Sequence, residues 1–278
     1  MKYFRKNGGF TLIELLIVLV LSSILMAGLY RTFIGQQKTY TVQDQVADMQ
    51  QNVRVAIDKM TREIRMAGYG GGTNILSVFN SSTNYVNNFS QIITLGDNVN
   101  NVGTNDDRIT VILADQVGVL TSNALKTSTT LLFNGADQLF NTTTKKYLNL
   151  NGQNNYVVSG VSSSSITVAP LSEDHLANEP VYLVKAITYE LGTVDGKPTL
   201  RRNENTGGGL QSLAESIENL QFVYYDSNGI VTATPADIRM IKVTVRAKTD
   251  RSDPDFKGGD GFRRRELASF VKVRNMGL

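Results

Sequence analysis

KNGGFTLIELLIV, residues 6–18, sets a Gly-Gly pair directly before an apolar run that carries a single charge, Glu14. From Phe10 to Tyr30 the chain runs for 21 residues with Glu14 as its only charge. At about 1.5 Å of rise per residue, a helix of that length is roughly 31 Å long, enough to cross the hydrocarbon core of a bilayer. A carboxylate in such a helix costs about 3 kcal/mol on insertion scales, and a plain anchor gains nothing from it. A secretory signal peptide has a shorter apolar stretch and an A-x-A-like cut site, which Met26-Ala27-Gly28 matches poorly. A simple anchor, with Lys2, Arg5 and Lys6 held inside by the positive-inside rule, explains the length and leaves Glu14 unexplained.

The whole chain has the composition of a folded protein, with 41% hydrophobic and 19% charged residues among 278. It contains no cysteine, which excludes disulfides, thiolate metal sites and cysteine nucleophiles. A sequence pI near 9.0 invites a nucleic-acid reading. Yet Lys2, Arg5 and Lys6 account for the entire net charge of +3, and the first nine residues hold no acid. Without that segment the chain is neutral overall.

The block KNGGFTLIELLIV resembles the type IV prepilin signature: a short basic leader ending in Gly, then Phe, then Glu five residues into the mature chain. The resemblance implies that a prepilin peptidase cuts between Gly9 and Phe10 on the cytoplasmic side and methylates the new amino group of Phe10. The helix stays in place after the cut. Gly9 suits this position because it has no side chain to obstruct the scissile bond. Glu14 then acquires a role, because an intramembrane carboxylate needs a partner. In the pilin family the corresponding Glu is thought to pair with the amino terminus of a neighbouring subunit, here the amine of Phe10 in the adjacent protomer. The competing reading leaves Glu14 hydrated near the helix end.

Beyond Ile34 the chain turns polar with no breaker cluster until Gly68. Val42, Val46, Met49, Val53, Ile57, Met60 and Ile64 recur at spacings of three and four, the mark of one apolar helix face. Phe10 to about Met66 therefore reads as one nearly continuous helix, ended by GYGGG at Gly68–Gly72. Downstream, short β-rich runs follow: Gln91–Leu95, Arg108–Ala114, Thr130–Phe133, Ile166–Ala169, Val181–Leu191, the alternating Ile241–Val245 and a closing Glu266–Arg274. QFVYYDSNGIV, residues 221–231, reads as strand, turn, strand, and Leu210–Ile217 as a short helix before it. The expected fold is α+β and pilin-like: a long N-terminal helix, transmembrane then amphipathic, packed on antiparallel sheet in a C-terminal domain. The expected divisions are 1–9 leader, 10–34 transmembrane or filament-core helix, 35–67 amphipathic helix and 68–278 periplasmic β-rich domain.

MTREIRMAGYGGG, ESIENLQFVYYDSNG, IRMIKVTVRAKT and RRRELASFVKVRNMGL together resemble PilW-type minor pilins, and J-type secretion pseudopilins share parts of that layout. Relatives often carry a Cys soon after the AGY element, where this chain has Gly71 and Gly72. The middle, roughly residues 73–178, matches nothing. The resemblance implies a non-enzymatic minor pilin that primes pilus assembly from the inner membrane, N-terminus cytoplasmic and globular domain periplasmic, before entering the filament or its tip. Its partners would be the prepilin peptidase, the major pilin, other minor pilins and the inner-membrane assembly platform. A type II secretion pseudopilin and a pilus-tip module binding DNA or surfaces are the alternatives.

No cofactor site is expected. His175 is the single histidine, with no G-x-S-x-G elbow to partner it, and reads as a loop residue. The glycine clusters match neither a P-loop nor a dinucleotide fingerprint. Asp253, Asp255 and Asp260 are a weak calcium candidate, without EF-hand spacing. Arg263, Arg264 and Arg265, near Phe262 and Phe270, form the densest basic cluster and a weak candidate for DNA phosphates.

Overall fold

The computed structural model describes residues 10–70, 91–96, 107–253 and 255–276. The leader, including Gly9, and Gly71–Gly72 of the glycine run lie outside the described residues, as does part of the unmatched middle. The chain forms two compact units, Met1–Asp48 and Met49–Leu278.

Helix α1 runs from Leu12 to Arg65, close to the span that the apolar periodicity predicts, and passes through Gly28 and Gly35 without a break. In the first unit its apolar side chains from Leu12 to Phe33 are all exposed. It is long and apolar enough to cross a membrane. Hydroxyls within and just beyond this segment find partners in their own helix: Ser23 donates to the Leu19 carbonyl (2.8 Å), Thr32 to Gly28 (3.1 Å) and Thr39 to Gly35 (3.0 Å). Such bonds back to the preceding turn satisfy these three hydroxyls within the helix itself.

In the second unit the predicted apolar face is buried from Met49 onward: Met49, Val53, Ala56, Ile57, Met60 and Ile64. After Arg65 the chain tightens, with Met66 and Ala67 donating to carbonyls three residues back, and Gly68 enters the left-handed region at φ 77°. The Gly68 amide then bonds the Ile112 carbonyl at 2.8 Å, fastening the helix end to the sheet. Gly70 has φ 84°, and a Cβ there would lie 2.3 Å from that of Ala114. No other residue fits.

Among the described residues the larger sheet has nine antiparallel strands. In chain order they are β1 (Ile93–Gly96), β2 (Arg108–Val119), β3 (Thr130–Leu132), β4 (Tyr147–Leu150), β5 (Asn154–Val161), β6 (Ser165–Val168), β7 (Pro180–Val194), β8 (Lys197–Asn203) and β9 (Leu210–Glu215). The 15-residue β7 is its spine. One edge of β7 pairs with β2; the other is divided between β4 at Val181–Leu183 and β8 at Thr188–Val194. Strands β3 to β6 and the turns around them enclose a core of their own, including Leu131, Phe133, Phe140, Leu148, Ile166 and Leu183. A second sheet holds β10 (Ile217–Tyr225), β11 (Met240–Lys248) and β12 (Arg264–Lys272) in that order. Ile241, Val243 and Val245 face inward in alternation, as expected of a half-buried antiparallel strand.

The expected α+β layout, a long N-terminal helix followed by antiparallel sheet, is therefore present. Two local expectations are corrected. Leu210–Ile217 is not helical: Leu210–Glu215 is strand β9, and Ile217 opens β10 after a left-handed Ser216 (φ 60°). Its apolar residues stand at helical spacing, but pairing with β8 gives the backbone its hydrogen bonds as a ladder. After the turn at Asp226–Gly229, the chain makes only a single bridge, Tyr225 to Val231, instead of a second strand.

A chain of alternating charges fixes the helix within this unit. Glu63, 8% exposed, accepts from Arg202 Nε and Nη2 (3.0 and 2.9 Å) and from the Tyr189 hydroxyl (2.5 Å), and pairs with Lys59 (2.8 Å). Arg202 continues to Glu204 (2.8 Å), which meets the buried Lys185 (3.1 Å), itself 2.6 Å from Asp115. Burial pushes the Glu63 carboxyl up, but Arg202, Lys59 and Tyr189 outweigh it and hold the group below its ordinary value.

Candidate functional site

The N-terminal turn of α1 is the candidate site, and its geometry follows from four residues. Phe10 is 87% exposed, ahead of the helix. Thr11 is the N-cap and Glu14 the third helical residue. The Thr11 hydroxyl accepts from the Glu14 amide at 3.3 Å, while Glu14 Oε2 accepts from the Thr11 amide at 3.1 Å and from its hydroxyl at 3.0 Å. This reciprocal capping box satisfies two amides that the first turn would otherwise leave open. It occupies only Oε2; among the described residues Oε1 accepts no hydrogen bond. The carboxylate is thus oriented by its own chain through one oxygen.

Sequence reasoning singled out Glu14 and missed Thr11. The signal was present, since T-x-x-E before an apolar run is the signature of a capping box. Phe10 and Glu14 are brought to one helix end; Gly9 lies outside the described residues.

Residues 4–30 match the family described as the prokaryotic N-terminal methylation motif. The chain carries that motif. That motif stands at the head of one long apolar N-terminal helix, with antiparallel sheets in the C-terminal unit. A type IV-like pilin from Thermus thermophilus is similar at 10% identity and a TM-score of 0.38, over 82% of this chain and 97% of its own. No curated protein matches the chain.

Of the remaining candidates, Asp255 and Arg265 are exposed, and the others are held in structural contacts. His175 lies in the connection between β6 and β7, as a loop residue would, but it is closed in. It is 2% exposed, forms a backbone bridge with Ala124, and sits with Nδ1 2.8 Å from Glu179 Oε2 and Nε2 3.1 Å from the Tyr156 hydroxyl. Asp253 and Asp260 do not converge on an ion position. Asp253 accepts from Arg263 (3.1 and 2.8 Å), and Asp260 from Arg264 (2.7 and 2.6 Å), so each carboxyl lies below its ordinary range. Among the described residues no group of three acidic or histidine side chains is placed to hold a metal. These contacts also bear on the arginine cluster. Arg263 and Arg264 already face carboxylates, Arg264 also meeting Glu218 at 2.6 Å, while Arg265 is exposed.

Proposed function

We propose that this chain is a PilW-like minor pilin, a non-enzymatic subunit that primes assembly of a type IV pilus. Supporting it most directly is the first turn of α1, where a capping box aims one oxygen of Glu14 and leaves the other open beside the exposed Phe10. In this reading the peptidase cuts after Gly9 and methylates Phe10. The helix waits in the inner membrane with the globular unit on the periplasmic side. Glu14 Oε1 then receives the amine of a neighbouring pilin, relieving a carboxylate that is costly in lipid and fixing the stagger between subunits. Pilin-like proteins are structural, and the energy for assembly comes from a separate motor. The partners are the peptidase, the assembly platform, the major pilin and other minor pilins.

The test is Glu14→Gln. Glutamine also closes a capping box, so the helix start survives while the charge is lost. Leader removal should be unchanged, and incorporation into sheared pili should fall by about tenfold or more, the equivalent of about 1.4 kcal/mol. Normal incorporation defeats the pairing role. Loss of surface pili on deleting the gene supports the minor-pilin role; intact pili with a loss of secreted proteins would assign the chain to a secretion system instead.

A further inference from the structure

Strand β12 is an edge. Among the described residues it pairs only with β11, through nine consecutive register partners from Met240–Lys272 to Lys248–Arg264, with no bulge. Flat edges are usually blunted by proline, a bulge or central lysines, because their open amides recruit another strand. Here the interior reads Glu266-Leu-Ala-Ser-Phe-Val271, with Phe270 58% and Leu267 37% exposed.

The direction of each amide follows from two bonds that bracket the strand. Thr249 donates to the Arg263 carbonyl and Val273 to the Arg239 carbonyl, both at 2.9 Å. By the two-residue alternation of antiparallel ladders, Arg265, Leu267, Ser269 and Val271 bond to β11. Arg264, Glu266, Ala268, Phe270 and Lys272 therefore turn their N–H and C=O groups outward. Any strand added antiparallel must exchange hydrogen bonds with these five.

We propose that β12 joins the same strand of a second copy, antiparallel and centred on Ser269, to make one continuous six-stranded sheet. Charge selects this partner and register. Centring on Ala268 would set Arg264 against the second copy's Lys272, and centring on Glu266 would oppose two like carboxylates. Centring on Phe270 would put Lys272 against Ala268. About Ser269 the edge is self-complementary: Glu266 meets Lys272 twice, Ala268 meets Phe270 twice, and Leu267 meets Val271 twice on the inner face. The outward groups then form about eight backbone hydrogen bonds, and opposite-charge and aromatic cross-strand pairs add to them. Arg265 faces inward at the strand's start and limits the pairing to Glu266–Lys272. The inference stands on this sheet alone and is independent of the pilin role.

The chain's lack of cysteine makes the test direct. Ser269 would sit on the two-fold axis in a non-hydrogen-bonded pair, where side chains approach most closely. Full-length Ser269→Cys in detergent micelles should form a disulfide-linked dimer under mild oxidation, whereas Ser227→Cys, in the exposed turn after β10, should not. Glu266→Lys and Lys272→Glu should each lower the Ser269→Cys dimer yield by about tenfold at low salt, and the two together should restore it. Circular dichroism confirms that each variant is folded. Equal cross-linking at Ser227 and Ser269, or a double swap no better than either single one, overturns the proposal. So does capture of a different protein by Ser269→Cys in cells in place of the dimer.

Discussion

Removing the Glu63 carboxylate tests how the helix is held on its sheet. Its side chain is 10% exposed and that of Arg202 15%, so both charges depend on each other rather than on water. Taking away one partner of a buried pair costs about 3–5 kcal/mol, because the other is left uncompensated. Arg202 retains Glu204, which places Glu63→Ala near the middle, about 4 kcal/mol. Glu63→Gln keeps an acceptor for the Tyr189 hydroxyl and loses the charge-assisted part of the Arg202 fork, about 2 kcal/mol. For a unit of this size each kcal/mol is about 2–4 °C in Tm, so melting followed by circular dichroism should fall by about 8–16 °C for Ala and about 4–8 °C for Gln. The pH dependence has a definite sign. The folded Glu63 carboxyl lies below its unfolded value of about 4.3. Its stabilisation is therefore complete above about pH 4.3 and disappears as pH falls through the folded value. The gap between wild type and Glu63→Gln should close over that acid range. A Tm loss under about 2 °C for Glu63→Ala at neutral pH, or a gap that stays constant in acid, refutes this account.

Gly70→Ala should destabilise the same unit by about 3 kcal/mol in a denaturant titration, combining a steric overlap with Ala114 and a left-handed backbone. Thr11→Ala should cost the helix start about 1 kcal/mol while leaving the Glu14 charge in place, so sheared pili should still contain the subunit. Replacing Arg263 and Arg264 together by Ala should change the salt slope of DNA binding by less than about 0.5, since each true phosphate contact is worth about 1 and both residues already face carboxylates.

What could be read from the sequence was whatever depended on local period and composition. The helix was legible because Met49, Val53, Ile57, Met60 and Ile64 keep a 3.6-residue beat that later proves to be buried. Strands β2, β7 and β11 were legible because β-branched residues concentrate there. Strands β4 and β5 were not, since NLNGQNN resembles a loop. Asn149 and Asn155 are in fact buried and bonded to each other at 2.9 Å, a cross-strand pairing that no local pattern announces. Strand β9 was misread because LQSLAESI has helical spacing and the partner that overrides it, β8, acts through tertiary pairing. At the N-terminus the identity of Glu14 was legible, whereas which of its oxygens the cap occupies required the coordinates. His175 illustrates the same limit: a lone histidine gives no sign of its burial against Tyr156 and Glu179.

Val119, the last residue of β2, lies directly opposite Pro180, the first of β7. The chain between them leaves and re-enters the sheet at neighbouring points, so residues 120–179 are an elaborated hairpin tip with its own core. Closing a flexible loop grows dearer only with the logarithm of its length, so changes in the size of this excursion weigh little on the β2–β7 register. Most of this excursion falls within the middle, roughly residues 73–178, that the resemblance leaves unmatched, and its length is the least constrained by the β2–β7 pairing. A fixed scaffold can carry an exchangeable head in this way: the register that seats the helix does not depend on how long the tip is.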